Sequence, residues 1–279
     1  MTVARENASP RIVAAPGSSR PVQEVVVSTV FAPLANVLVR AFLPARIPPP
    51  VLVLVHSAVG LAGAWLVADG ALVAAALVLQ LKTLLDNADG RLARASGRVT
   101  LAGRYLDTEA DLAVNAALVA ALGYLTGQPA LAIAAFVALT LILSADFNVS
   151  VLFAEARGLV REEPARTGGR TERALEQVYR AVFAPQDRLV RLVADRRLAR
   201  VLAGETDADR IAGATLAYHD RGTVAVLANL GLSTQLLVLG VCLVLGAPEA
   251  YLWLVLASLA LLPALQLRRE RRARSTLAR

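Results

Sequence analysis

Apolar residues gather in blocks along the chain, and the connections between them alternate in character. The blocks cover residues 51–68, 71–85, 103–125, 130–153, 224–245 and 251–267. A helix needs roughly 17–25 largely apolar residues to cross a bilayer, so the pattern predicts about six transmembrane helices. The second block reaches that length only by running on into the polar turns after Leu85, and the third is polar in its first half. Upstream, Val27, Val30, Phe31, Leu34, Leu38 and Phe42 recur at helical spacing between polar residues. This predicts an amphipathic helix in 21–47 lying in the membrane interface and kinked at Pro33. Residues 48–154 then hold the first four spans and 223–267 the last two.

Residues 155–222 interrupt the pattern. Leu175, Val178, Tyr179, Val182 and Phe183 form one stripe, and Leu189, Val190, Val193, Val201 and Leu202 form a second. With so many arginines between them, these predict a pair of surface helices on the inner leaflet or on a partner chain. A solvated amphipathic linker accounts for them equally well. Residues 1–20 lack an apolar core and are predicted to be a disordered cytoplasmic tail, while 268–279 form a basic tail.

Composition agrees with the pattern. Hydrophobic residues make up 56% and charged residues 18% of the 279, and the mean hydropathy is +0.56. A soluble domain has about a quarter of its residues charged, so the chain is predicted to be an all-α, polytopic membrane protein. The net charge of +7 does not point to nucleic acid, because only 5% of residues are aromatic and no basic stripe interleaves with stacking rings. Arginine instead flanks the apolar blocks on alternate sides. The turns near 68–70, 126–129 and 246–250 carry none, whereas Arg91, Arg94, Arg98 and Arg104, the 155–222 segment and the tail are rich in it. The positive-inside rule therefore places both termini and the 86–111 turn in the cytoplasm of a plasma or inner membrane. The single cysteine, Cys242, excludes a disulfide framework within the chain.

One polar stretch stands against the apolar background: DNADGRLARASGRVTLAGRYLDTEAD, residues 86–111. On one predicted helix, Asp86, Asp89, Gly90, Ala93 and Arg94 share a face. On the next, Gly103, Asp107 and Asp111 do the same. Carboxylates at membrane depth are costly unless paired or bound to a cation. An oxygen-only set suits Mg²⁺ or Mn²⁺, and four acids can hold two ions that clamp a phosphoryl group. Gly90, Ala93 and Gly103 leave the wall thin enough for a nucleotide or pyrophosphate, and Arg94 offers a planar fork to phosphate.

The spacing Asp-x2-Asp-Gly-x2-Ala-Arg-x8-Gly-x3-Asp-x3-Asp resembles the signature of the CDP-alcohol phosphotransferase family. The resemblance implies about six spans, an N-terminal interfacial helix and a cytoplasm-facing site. It implies that Asp86, Asp89, Asp107 and Asp111 ligate the metals and that Asp111 also acts as general base. Gly90, Ala93, Arg94 and Gly103 would form the pocket for the CMP part of the donor. The implied reaction moves a substituted phosphate from a CDP-alcohol to an alcohol hydroxyl and releases CMP. CDP-diacylglycerol is the expected donor, with a soluble CDP-alcohol and a lipid acceptor as the alternative. Family members are often homodimers. The Thr-Pro-Asn-like run that precedes the first span in many relatives is replaced here by Ile47-Pro48-Pro49-Pro50-Val51.

Other polar residues receive structural readings. Lys82 either pairs with a carboxylate or snorkels to the interface. His56 reads as a buried core histidine rather than a ligand, because no other histidine is near it in sequence. Asp146 and Asn148 either orient the acceptor or bond between helices. Arg221 reads as an anchor, His219 and Asp220 as loop residues, and Asn229, Ser233, Thr234 and Gln235 as packing glue. Trp65, Tyr124, Tyr251 and Trp253 fit an interfacial belt. Rival functions fit less of the pattern. An intramembrane prenyltransferase needs two separate Asp-rich motifs, and a divalent-cation transporter leaves the Gly-x2-Ala-Arg insert unexplained.

Overall fold

The computed structural model describes residues 12–13, 21–160 and 168–279. The architecture is all-α, with one two-residue parallel pairing of Ile12–Val13 with Leu159–Val160. The predicted disordered tail otherwise lies outside the described residues. Four helical stretches are long and apolar enough to cross a membrane: Pro49–Ala68, Pro129–Glu155, Ala208–Val244 and Pro248–Leu277. The protein is thus an integral membrane protein. Their outward faces carry exposed Leu54, Leu61, Ile133, Val137, Val241 and Leu254, as expected of surfaces that meet lipid.

The first helix, α1 (Val27–Phe42), begins with a π turn ahead of Pro33. Its buried face is Val27, Phe31, Ala35 and Val39, of which Ala35 and Val39 pack with Ala88 and Leu92. Val30 and Leu34, expected on the same stripe, point outward. Next come α2 (Pro49–Ala68), α3 (Leu72–Ala95), α4 (Leu101–Thr126) and α5 (Pro129–Glu155). Only α2 and α5 of these four pass on apolarity. The α3 and α4 helices have 24 and 26 residues, enough to span at about 1.5 Å per residue, but their charged residues keep them out of a hydropathy count.

The last two predicted spans are each broken. The fifth is divided into α8 (Arg221–Ala228) and α9 (Leu232–Val244), and its apolar stretch starts earlier than predicted, at Ala208. The break lets a side chain in. Glu24 Oε2 accepts from the Thr234 amide at 2.7 Å and from its hydroxyl at 2.8 Å. The Asn229 carboxamide oxygen in turn accepts from the Val25 amide at 2.9 Å. Two of the residues expected to be packing glue therefore tie the N-terminal helix to the bundle. The sixth span is α10 (Pro248–Leu259) followed by α11 (Leu261–Leu277). Pro263 cannot donate a backbone hydrogen bond, which accounts for the interruption.

The 155–222 segment is not a pair of short helices. It contains a single 33-residue helix, α6 (Arg170–Leu202), with Pro185 inside it, and then α7 (Ala208–Tyr218). Asp187 fastens α6 to α5. It accepts from Ser144 Oγ at 3.0 Å, Asn148 Nδ2 at 2.6 Å and Tyr179 Oη at 2.7 Å. Burial and the neighbouring carboxylate push the Tyr179 phenol above its ordinary pKa. Asn148 thus bonds between helices, which was one of its two readings. Tyr251 corrects another expectation: it is 3% exposed and packs in the core, whereas Trp65, Tyr124 and Trp253 are well exposed.

Candidate active site

The turn between α3 and α4 sets the register of the acids. Gly97 adopts φ +67°, and the Arg98 amide reaches back to the Ala93 carbonyl at 2.9 Å, closing α3 with a left-handed glycine cap. Thr100 caps α4, its hydroxyl accepting from the Gly103 amide at 3.0 Å. The helices then run antiparallel. Asp89 lies six residues before the end of α3, and Asp107 lies six after the start of α4. Asp86 and Asp111 pair off in the same way one turn deeper.

A third helix completes the cluster. On α2 the residues His56, Gly60 and Gly63 share one face. A Cβ at Gly60 would lie 2.6 Å from Val114 Cγ1, and one at Gly63 would lie 2.7 Å from Leu79 Cδ2. Only glycine allows this approach of α2 to α3 and α4, and the approach carries His56 into the acids. Its Nε2 lies 3.0 Å from Asp89 Oδ2, 3.6 Å from Asp107 Oδ1 and 3.9 Å from Asp86 Oδ1. One donor atom from each of these four residues lies within 4.8 Å of all the others. The sequence reading of His56 as a core residue holds for its burial, since it is 0% exposed, but misses its position in the cluster.

Asp111 stands slightly apart. The Lys82 ammonium, 1% exposed, bonds to Asp111 Oδ1 and to Asp86 Oδ2, the latter at 3.2 Å. Lys82 is therefore a pairing residue and not a snorkelling one. The cluster opens to solvent at Asp107, whose side chain is 39% exposed while that of Asp89 is 6% exposed. Yet Asp107 Oδ1 is buried and has no hydrogen-bond partner. A buried carboxylate oxygen without a donor is costly, and a cation among these four residues would satisfy it. The donor set therefore fits a divalent ion.

The small positions lie beside the opening. A Cβ at Gly90 would meet nothing nearer than Arg94 Nη1 at 3.4 Å, and one at Gly103 would meet only the Thr100 hydroxyl at 3.1 Å. Ala93 is half-buried and Arg94 exposed on the same helix end. The remaining polar candidates lie on other contacts. Asp220 caps α8 and is met by Arg268 and Arg272, and His219 Nδ1 lies 3.1 Å from Arg269 Nη2. Ser233 accepts from Asn87 at 3.2 Å.

Residues 46–185, half of the chain, match the pattern of the CDP-alcohol phosphatidyltransferase family. The chain belongs to that family. The matched region runs from the residues before α2 into α6, so it contains all three helices that build the acid cluster. No curated protein and no solved structure matches the chain. Membership makes this CDP-alcohol phosphatidyltransferase homologue a membrane transferase of phosphate-linked groups from a CDP-alcohol.

Proposed function

We propose that the protein transfers a substituted phosphate from CDP-diacylglycerol to the hydroxyl of a small polar alcohol, releasing CMP. The observation that carries this reading is the convergence of Asp86, Asp89 and Asp107, with a buried carboxylate oxygen that receives no hydrogen bond, in a family member. Asp86, Asp89 and Asp107, with Asp111 beside them, would hold Mg²⁺ or Mn²⁺, in a two-ion arrangement. When bound, such ions would supply positive charge to the pyrophosphate and to the oxygen on which CMP departs. Gly90, Ala93 and Gly103 leave space for the cytidine nucleotide, and Arg94 meets its phosphate with a fork of donors.

Asp111 takes the acceptor proton. Its ion pair with Lys82 fixes the carboxylate beside the other three acids. The acceptor oxygen forms a bond to the phosphorus distal to cytidine, and the phosphoanhydride bond breaks with its electron pair leaving on CMP. The hydroxyl proton passes to Asp111. A site set between spanning helices favours a lipid-anchored donor that reaches it from within the bilayer. The arginine distribution favours six spans with both termini and the site in the cytoplasm. The experiment is a screen of alcohols against CDP-diacylglycerol and against soluble CDP-alcohols. The expected result is CMP release with the lipid donor and a polar alcohol together. CMP release only from a soluble donor with a lipid acceptor would reverse the substrate assignment.

A further inference from the structure

We propose that His56 is a nitrogen ligand of the cation in this site, so that the centre prefers a first-row transition ion, such as Mn²⁺, to Mg²⁺. The proposal rests on reading the acid cluster as a cation site, and it concerns a residue outside the aspartate signature.

The position of the imidazole is specific. Its Nε2 faces three carboxylates at once, at 3.0, 3.6 and 3.9 Å. Donors around one small divalent ion sit at roughly 2.0–2.2 Å, so they lie no more than about twice that distance apart. The four donor atoms here lie within 4.8 Å of one another and need only a small contraction. The ring is wholly buried, and α2 cannot withdraw it, because Gly60 and Gly63 seat the helix against Val114 and Leu79.

The chemistry of the ring argues against a purely structural role. Nδ1 is buried and has no hydrogen-bond partner, so either neutral tautomer leaves a ring nitrogen unsatisfied. An apolar residue would fill the space without that cost. Nε2 faces three carboxylates, so it must either carry a proton or bind a cation there, and a cation at that point meets all three carboxylates at once. The distribution of charge points the same way. Lys82 already pairs with Asp86 and Asp111, whereas the ion-pair contact of Asp89 and Asp107 is the imidazole. Three carboxylate oxygens and one imidazole form a mixed set. Mg²⁺ favours oxygen donors alone, while transition ions accept imidazole readily.

The test uses the full-length protein, free of any histidine tag, in detergent and imidazole-free buffer, with Mn²⁺ as the probe. Pulsed electron paramagnetic resonance reads nitrogen coupled to the bound ion. The expected result is a ¹⁴N coupling that changes to ¹⁵N in protein labelled with [¹⁵N]histidine, persists in His219→Gln and disappears in His56→Gln. Mn²⁺ affinity in His56→Gln should fall at least about ten-fold, as loss of a supporting or direct metal contact does, and the advantage over Mg²⁺ should fall with it. The labelled wild-type spectrum decides the matter even if the variant fails to fold. Mn²⁺ bound in an Asp89-dependent way but with no nitrogen coupling would overturn the assignment of His56 and leave the cation site standing. Mn²⁺ binding that is absent, or indifferent to Asp89→Asn, would overturn the cation site and the assignment together.

Discussion

The Lys82 ammonium touches Asp111 and Asp86 at once, and it is the only lysine in the chain. This pairing makes one substitution informative. Asp111→Asn removes the base while Lys82 keeps Asp86 as its partner, so the fold should persist. Loss of a general base lowers turnover by roughly 10²–10⁴-fold. The expected outcome is a fall of that order in CMP-release rate, with binding of the CDP donor nearly unchanged by equilibrium titration. Full turnover in the variant would remove Asp111 from the mechanism. The aspartates were legible in the sequence because steps of three and four residues place them on single helix faces. His56 was not, because its neighbours come from two other helices. The available signal was the small-residue stripe at Gly60 and Gly63, which marks the face of α2 that approaches other helices most closely.

At the scale of elements, the site depends on how closely α2 lies against α3 and α4. Gly60→Val would drive a side chain into Val114, which already stands 2.6 Å from the position of the first added atom. Overpacking of this kind costs about 1–3 kcal/mol. Thermal unfolding in detergent should show the loss, and it should be accompanied by weaker divalent-cation binding as His56 is displaced. Wild-type metal affinity in a destabilised Gly60→Val protein would separate the helix contact from the site. The long α6 helix rests on a different device. Asp187→Ala would leave the donors of Ser144, Asn148 and Tyr179 without their shared acceptor. Limited trypsin digestion should then cut at the α6 arginines faster than in the wild type, and an unchanged digestion rate would show that α6 is held by other contacts. The sequence suggested two helices here because its apolar positions fall into two stripes, 175–183 and 189–202. Contacts on both sides of Pro185 hold the segment in one axis: Tyr179 stacks near Tyr105 of α4 before it, and Asp187 and Arg197 reach α5 and α11 after it, Arg197 meeting Glu270 at 3.4 Å.

For the whole molecule, hydropathy marked the four apolar stretches and could not mark α3 and α4 on the same footing. The charges that build the site are the charges that lower their score. Motif spacing and length recovered what hydropathy lost. The proposed orientation has a direct consequence, since the α3–α4 turn and the α4–α5 turn lie at opposite ends of α4. With Cys242 buried as the sole native thiol, single cysteines at Ser96 and Gln128 can be labelled with a membrane-impermeant reagent. Ser96→Cys should react only from the cytoplasmic side and Gln128→Cys only from the other, whereas the reverse pattern would invert the topology.

The most direct measurement for the whole account is CMP release by purified protein from labelled CDP-diacylglycerol, followed with and without an alcohol, with and without divalent cation, and in Asp89→Asn. The account predicts CMP only when donor, alcohol and cation are all present, and none from the folded variant. CMP formed after complete chelation, or by Asp89→Asn at the wild-type rate, would contradict it.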